Sequence, residues 1–139
     1  MRSAWDRQRA AAIALGGAVG AGTRWAVLVS IEPTGQLPWT LLLLNVGGSI
    51  LLGVLLAEEW AHPSARLLLH DAGGIGFCGG LTTFSTFAVE VVDLLRDDHL
   101  GIAAAYGALS VVLSVAGVLA GAAALRHVRA VTLPLEEEP

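Results

Sequence analysis

The sequence predicts an all-α integral membrane protein with four transmembrane helices, and three observations carry that reading. Charged residues are 14% of the chain, where a soluble domain carries about a quarter. Hydrophobic residues are 55% of the 139, and the mean hydropathy is +0.68. The apolar residues also gather into four runs, each near the length of about 20 residues that a helix needs to cross the hydrocarbon core. The same composition excludes other classes. A net charge of −4 offers no basic footprint for DNA or RNA, so no nucleic-acid partner is expected. A single cysteine, Cys78, rules out a disulfide framework and a multi-cysteine metal site.

The first run covers residues 10–31 and is interrupted only by Arg24. A cleavable signal peptide is its competing reading, because Arg2, Arg7 and Arg9 precede it as a charged leader would. The apolar stretch is too long for a signal core, and Gly16, Gly17, Gly20 and Gly22 read as a packing face, so a retained span is expected. The second run, 37–57, holds no charge. The third, 72–89, is also uncharged but dense in glycine and hydroxyl side chains, and the fourth, 101–125, is the most uniformly apolar. The links 32–36, 58–71 and 90–100 hold most of the remaining charge, which leaves no Asp or Glu inside a span as drawn. Residues 1–9 form an N-terminal cytoplasmic segment, 10–125 the membrane domain, and 126–139 an acidic tail whose Glu136, Glu137 and Glu138 are expected to be solvated and disordered.

Every span carries a small-xxx-small pair: Gly16 and Gly20, Ser49 and Gly53, Gly76 and Gly80, Gly117 and Gly121. Such pairs let helix backbones approach closely where lipid supplies no hydrophobic drive. Four helices packed this tightly leave no aqueous pore within one subunit, so a transport path would need narrow crevices or an oligomer interface. The chain has no lysine, and arginine alone sets orientation. Arg2, Arg7, Arg9, Arg66, Arg126 and Arg129 fall on the side of the termini, against Arg96 and, at most, Arg24 on the other. The positive-inside rule therefore places both termini in the cytoplasm.

Polar groups inside the spans are the candidates for function, because lipid makes them costly. Arg24 lies seven residues from Ile31, about 10 Å along a helix, so it can snorkel to the interface or attract an anion at a vestibule. Asn45 is the only carboxamide in an aliphatic helix; it can glue helices together or offer N–H donors to an anion. The third run continues from Gly79-Gly80 into Leu81-Thr82-Thr83-Phe84-Ser85-Thr86-Phe87. Paired glycines leading into a hydroxyl cluster make a poor continuous helix, and a break near Gly79 to Thr83 is expected. Its alternative is an intact helix bent by hydroxyls bonding back to the preceding turn. Beyond a break, Phe84 and Phe87 share a helix face and could turn positive ring edges toward a small anion. Tyr106 and Ser110, four apart in the last run, supply a further polar stripe.

Taken together, the block from Gly16 to Trp25, the block from Thr40 through Asn45 to Ser49, and the block from Gly79 to Phe87 resemble the signature blocks of the CrcB or Fluc fluoride channels. The similarity covers roughly residues 10–125. It implies a passive, fluoride-selective channel that exports the ion across the plasma membrane of a prokaryote, and not an enzyme. It also implies a dimer of antiparallel four-helix subunits with two pathways along the subunit interface. In this resemblance Asn45 contacts fluoride near the pathway mouth, Phe84 and Phe87 form an aromatic box, and Thr86, Tyr106 and Ser110 belong to the polar lining. A central structural sodium ion would take backbone carbonyls of Gly79 and Thr82 from both subunits. An antiparallel homodimer requires each chain to insert both ways, whereas the arginine bias here favours one orientation. The expected partner is therefore either a second copy or an oppositely oriented homologue. The reading from another class is a non-transporting membrane scaffold or regulatory subunit, which would have no use for the broken, hydroxyl-rich helix. A coupled exporter would need an intramembrane carboxylate.

Overall fold

A computed structural model describes residues 4–32, 35–57, 60 and 62–132. Four helices long and apolar enough to cross a membrane run up and down, and among the described residues there is no strand. The chain is a multi-pass membrane protein. Arg2 and the stretch from Glu136 to Glu138 lie outside the described residues.

The first helix, Ala4–Ser30, starts earlier than the apolar run because Ala, Arg and Gln favour helix and Asp6 in the first turn suits the positive end of the helix dipole. It stops just before the Glu32-Pro33 pair, where proline disfavours helical geometry in its predecessor. The second helix, Trp39–Leu56, is 18 residues long, about 27 Å, which is close to the minimum for a span. The fourth, Leu100–Thr132, is the longest unbroken helix among the described residues and carries on beyond residue 125 through Arg126 and Arg129.

The third helix comes in two halves. Its first half runs from Pro63 at a favourable first-turn position to Leu81. Over Arg66–Cys78 its turns are wide, each closing five residues apart instead of four. Gly73, Gly74 and Gly76 in this stretch weaken the preference for the tighter α turn. The second half, Phe84–Arg96, ends in a Schellman motif: the N–H of His99 donates to the Leu94 carbonyl at 2.9 Å and that of Asp98 to the Leu95 carbonyl at 3.3 Å. Asp98 takes the left-handed position (φ 61°) usually given to glycine, a conformation that short Asp side chains tolerate. The chain then turns directly into the fourth helix.

The first helix packs along the first half of the third, and the second packs along the fourth. Glycine makes both contacts possible. A Cβ on Gly20 would run into the Phe77 carbonyl, and one on Gly80 into the Gly17 carbonyl, so the first helix lies backbone to backbone against the segment that precedes the break. Gly53 and Gly121 do the same for the second and fourth helices, against Val118 and Ile50. A small core of Leu42, Leu94, Ala103 and Tyr106 closes the remaining corner, with Phe87 and Val46 against it. The ends are tied as an up-and-down bundle requires. Arg129 sits 5.5 Å above the Trp60 ring at one end, and Gln36 hydrogen-bonds His99 at the other.

Three acidic residues assigned to links lie within helices, the exposed Asp93 and two that are more enclosed. Asp71 is in the first half of the third helix with no exposed surface, and Glu90 is in the second half. A carboxylate is tolerated at Asp71 because Arg9 grips it twice, at 2.7 and 3.1 Å, and His70 Nδ1 meets it at 2.8 Å. Glu90 accepts the hydroxyl proton of Tyr106.

Candidate functional site

The break falls at Thr82 and Thr83, both extended (φ −81°, ψ 152° and φ −151°, ψ 132°). Threonine suits it, because the β-branched side chain is at ease in extended backbone and its hydroxyl can cap the helix that restarts. Thr83 Oγ1 accepts the N–H of Thr86 at 3.4 Å, and Thr82 Oγ1 donates back to the Cys78 carbonyl at 2.9 Å. In an unbroken helix the Thr83 N–H would donate to the Gly79 carbonyl. Here it donates to Asn45 Oδ1 at 2.9 Å, and Asn45 Nδ2 returns a bond to the Thr83 carbonyl at 3.1 Å. Because an N–H can only meet the oxygen of a carboxamide, this pairing fixes which end of Asn45 is which. The carbonyls freed on the other side go to Arg24, whose Nη1 donates to Gly80 at 2.8 Å and to Thr82 at 3.1 Å.

Beside the break lies a cleft of about 330 Å³, open to the surface of the helix bundle. Asn45 and Ser49 of the second helix line it, with Thr82, Thr83, Phe84 and Phe87 of the third and Ser110 and Ser114 of the fourth. Phe84 is 76% exposed, and its ring centroid is 5.4 Å from that of Phe87, tilted by 49°. Phe87 stacks in turn at 5.3 Å on the buried Tyr106. Ser110 Oγ is buried and makes no hydrogen bond of normal geometry among the described residues, although the Tyr106 hydroxyl lies near enough to interact with it. Asn45 spends one Nδ2 hydrogen on Thr83, and the second is not taken by any described residue. The N-terminus of the second half-helix adds its dipole and its unsatisfied first N–H groups. The cleft is therefore lined by side chains that carry hydrogen-bond donors and by two aromatic rings.

The family described as CrcB-like protein, Camphor Resistance (CrcB), matches residues 11–122. The chain belongs to the CrcB family. It is 40% identical over 118 residues to the fluoride-specific ion channel FluC of Bordetella petrii, covering 85% of this chain and 91% of that one. It is 41% identical over 118 residues to FluC of Nitrobacter winogradskyi, covering 79% and 89%. With FluC 1 of Mycobacterium tuberculosis it shares 38% over 125 residues, covering 89% and 95%.

Against this CrcB framework, the structure gathers Asn45, Phe84, Phe87 and Ser110 at one cleft. Tyr106 lies behind Phe87, and Thr86 sits at the helix cap against Thr83. Arg24 neither snorkels nor lines the cleft; it faces the break from the first helix. Ser114 lines the cleft without having been singled out in the sequence; Ser49 was read there as a packing residue and Thr83 as part of the break, and Glu90 lies outside the cleft, bonded to Tyr106. Ser49 follows Asn45 by four residues and Ser114 follows Ser110 by four, so helical spacing held a signal for both. Glu90 escaped because the apolar window ended one residue before it.

Gly79 and Thr82 stand at the carbonyl end of the first half-helix, the type of hard oxygen donor that unwound membrane helices offer to sodium. The fit is partial within the chain. Gly79 has lost its helical donor to Asn45, while the Thr82 oxygen already accepts Arg24 and keeps one lone pair.

Proposed function

We propose that this chain forms a fluoride channel whose anion path runs through the cleft at the break. The observation that carries the reading is the convergence of the spare Asn45 N–H, the buried Ser110 hydroxyl and the Phe84 and Phe87 rings in a family whose relatives are named for fluoride. Asn45 and Ser110 replace part of the hydration shell, and the ring edges supply weak positive contacts that a small ion can approach closely. Thr86 holds the helix N-terminus in place, and Tyr106 backs Phe87. Conduction is passive and lowers cytoplasmic fluoride by export through the plasma membrane of a prokaryote.

The cleft opens on the subunit surface, which supports a second subunit as its other wall. Antiparallel pairing would bring two breaks together, and the Gly79 and Thr82 carbonyls of both subunits would then share a structural sodium. Among the described residues, Arg7, Arg9, Arg66, Arg126 and Arg129 lie at the end that holds the termini, against Arg96 at the opposite end. That bias supports cytoplasmic termini and an oppositely oriented homologue as partner, in preference to a second copy. Reporters fused to the C-terminus test it: equal signal on both sides of the membrane would favour the homodimer.

Ion efflux from liposomes reconstituted with the chain, alone and with such a homologue, tests the function. Rapid fluoride release with negligible chloride release is expected in at least one preparation. Fluoride retention in both would leave the scaffold reading in its place.

A further inference from the structure

We infer that Arg24 is a positioning residue for the anion site, acting on Asn45 through the peptide group that joins Thr82 to Thr83. The inference rests on the fluoride reading for the anion's identity, but not for the relay itself. The Thr82 carbonyl and the Thr83 N–H are the two ends of one planar, conjugated amide. Arg24 Nη1 holds the oxygen end at 3.1 Å, and Asn45 Oδ1 holds the N–H end at 2.9 Å. Asn45 is itself an amide, so the line continues from guanidinium to peptide to carboxamide, and ends at the Nδ2 hydrogen that no described residue takes.

Each bond in such a chain polarises the next, and here the first donor carries a full positive charge. Charge drawn toward Arg24 at the Thr82 oxygen makes the Thr83 N–H a stronger donor. That donor draws on Asn45 Oδ1 and sharpens both Nδ2 hydrogens. Arg24 thus strengthens the anion's partner without lining the cleft. The first helix can deliver the guanidinium because Gly20, one turn earlier, lets its backbone reach the third helix. The second bond of Arg24, to the Gly80 carbonyl at 2.8 Å, keeps the group from swinging away.

Asn45 is the only asparagine in the chain, so side-chain ¹⁵N labelling of asparagine gives one carboxamide signal pair. The test compares wild type, Arg24→Lys and Arg24→Gln in bilayers, first free of halide and then titrated with potassium fluoride or potassium chloride. Without halide, the Asn45 protons of wild type and R24K are expected at similar positions, with those of R24Q upfield. Half-saturating fluoride is expected to rise about fivefold in R24Q, as a neutral donor replaces a charged one. Coincident Asn45 signals in wild type and R24Q overturn the relay, as does an R24K spectrum that matches R24Q. A wild-type measurement covers the case in which R24Q does not fold. The Thr82 N–H donates to the Cys78 carbonyl at 2.9 Å, the same length as the bond from Thr83 to Asn45. The Thr83 amide proton must still lie downfield of the Thr82 proton; a signal at or upfield of it also overturns the relay. Wild-type Asn45 signals that ignore fluoride overturn the fluoride reading instead, and the ion-free spectra decide the relay independently.

Discussion

Replacing Asn45 by alanine removes both side-chain bonds to the Thr83 backbone, one of 2.9 Å and one of 3.1 Å. A net hydrogen bond is worth about 1 kcal/mol, but a buried group left without a partner costs about 1–3 kcal/mol. Asn45 is only 9% exposed, and the Thr83 N–H and carbonyl cannot rejoin a helical ladder while Thr82 and Thr83 stay extended. The expected loss is therefore about 2–4 kcal/mol, or a fall in melting temperature on the order of 10 °C. Asparagine to aspartate separates the two bonds. Its carboxylate still accepts the Thr83 N–H but turns a second oxygen toward the Thr83 carbonyl, so one bond survives and the other becomes a repulsion. Thermal unfolding in detergent, followed by tryptophan fluorescence, reads the stability of both variants, and fluoride efflux reads their function. Efflux should be abolished in N45D even where protein survives, because the carboxylate repels the anion. An N45A variant as stable as wild type would refute the claim that Asn45 splints the break, whatever its conductance.

Three further perturbations test other parts of the molecule. Ser110→Ala should stabilise the protein by up to about 1 kcal/mol, since the buried hydroxyl makes no hydrogen bond of normal geometry, while slowing fluoride efflux; unfolding and efflux assays on one preparation read both. At the buried pair, Arg9→Met should destabilise more than Asp71→Leu, because it leaves a carboxylate without exposed surface with His70 as its one remaining partner among the described residues, and the double variant should recover stability; thermal unfolding ranks the three. Exchanging sodium for N-methylglucamine should slow efflux if carbonyls of Gly79 and Thr82 share an ion between subunits, and readdition of sodium should restore it.

How much of this was legible in the sequence depended on how local the signal was. The four spans follow from hydropathy, and the break from the crowding of Gly79, Gly80, Thr82 and Thr83, all within one short segment. Asn45, Phe84, Phe87 and Ser110 stood out as polar or aromatic residues at helical spacing in an apolar chain. The start of the third helix was misjudged because Arg66, His70 and Asp71 look like a solvated link; the twofold grip of Arg9, 62 residues away, does most to make a buried Asp71 tolerable. The partners of the break were hidden for the same reason. Arg24 reaches Gly80 and Thr82 across 56 and 58 residues, and Asn45 reaches Thr83 across 38. Periodicity says which face of a helix a residue occupies, not which helix that face will meet.

The cost of the break also explains its polarity. In lipid every freed backbone group must find a partner, so a mid-membrane break exposes carbonyls and N–H groups alike. Carbonyls repel an anion and N–H groups attract it; an unsorted break would therefore select nothing. Here three of the freed carbonyls are covered by side-chain donors. The Gly80 and Thr82 carbonyls turn toward the first helix and are covered by the guanidinium of Arg24, and the Thr83 carbonyl is covered by Asn45. The cleft is lined by Asn45, which keeps a spare hydrogen, by Ser110, by the Phe84 and Phe87 rings, and by Thr83 at the N-cap of the second half-helix. A cation in place of the anion would meet these donors with its own sign of charge. On the proposed path, selectivity for anions over cations follows from covering these carbonyls, before the size of the ion is considered.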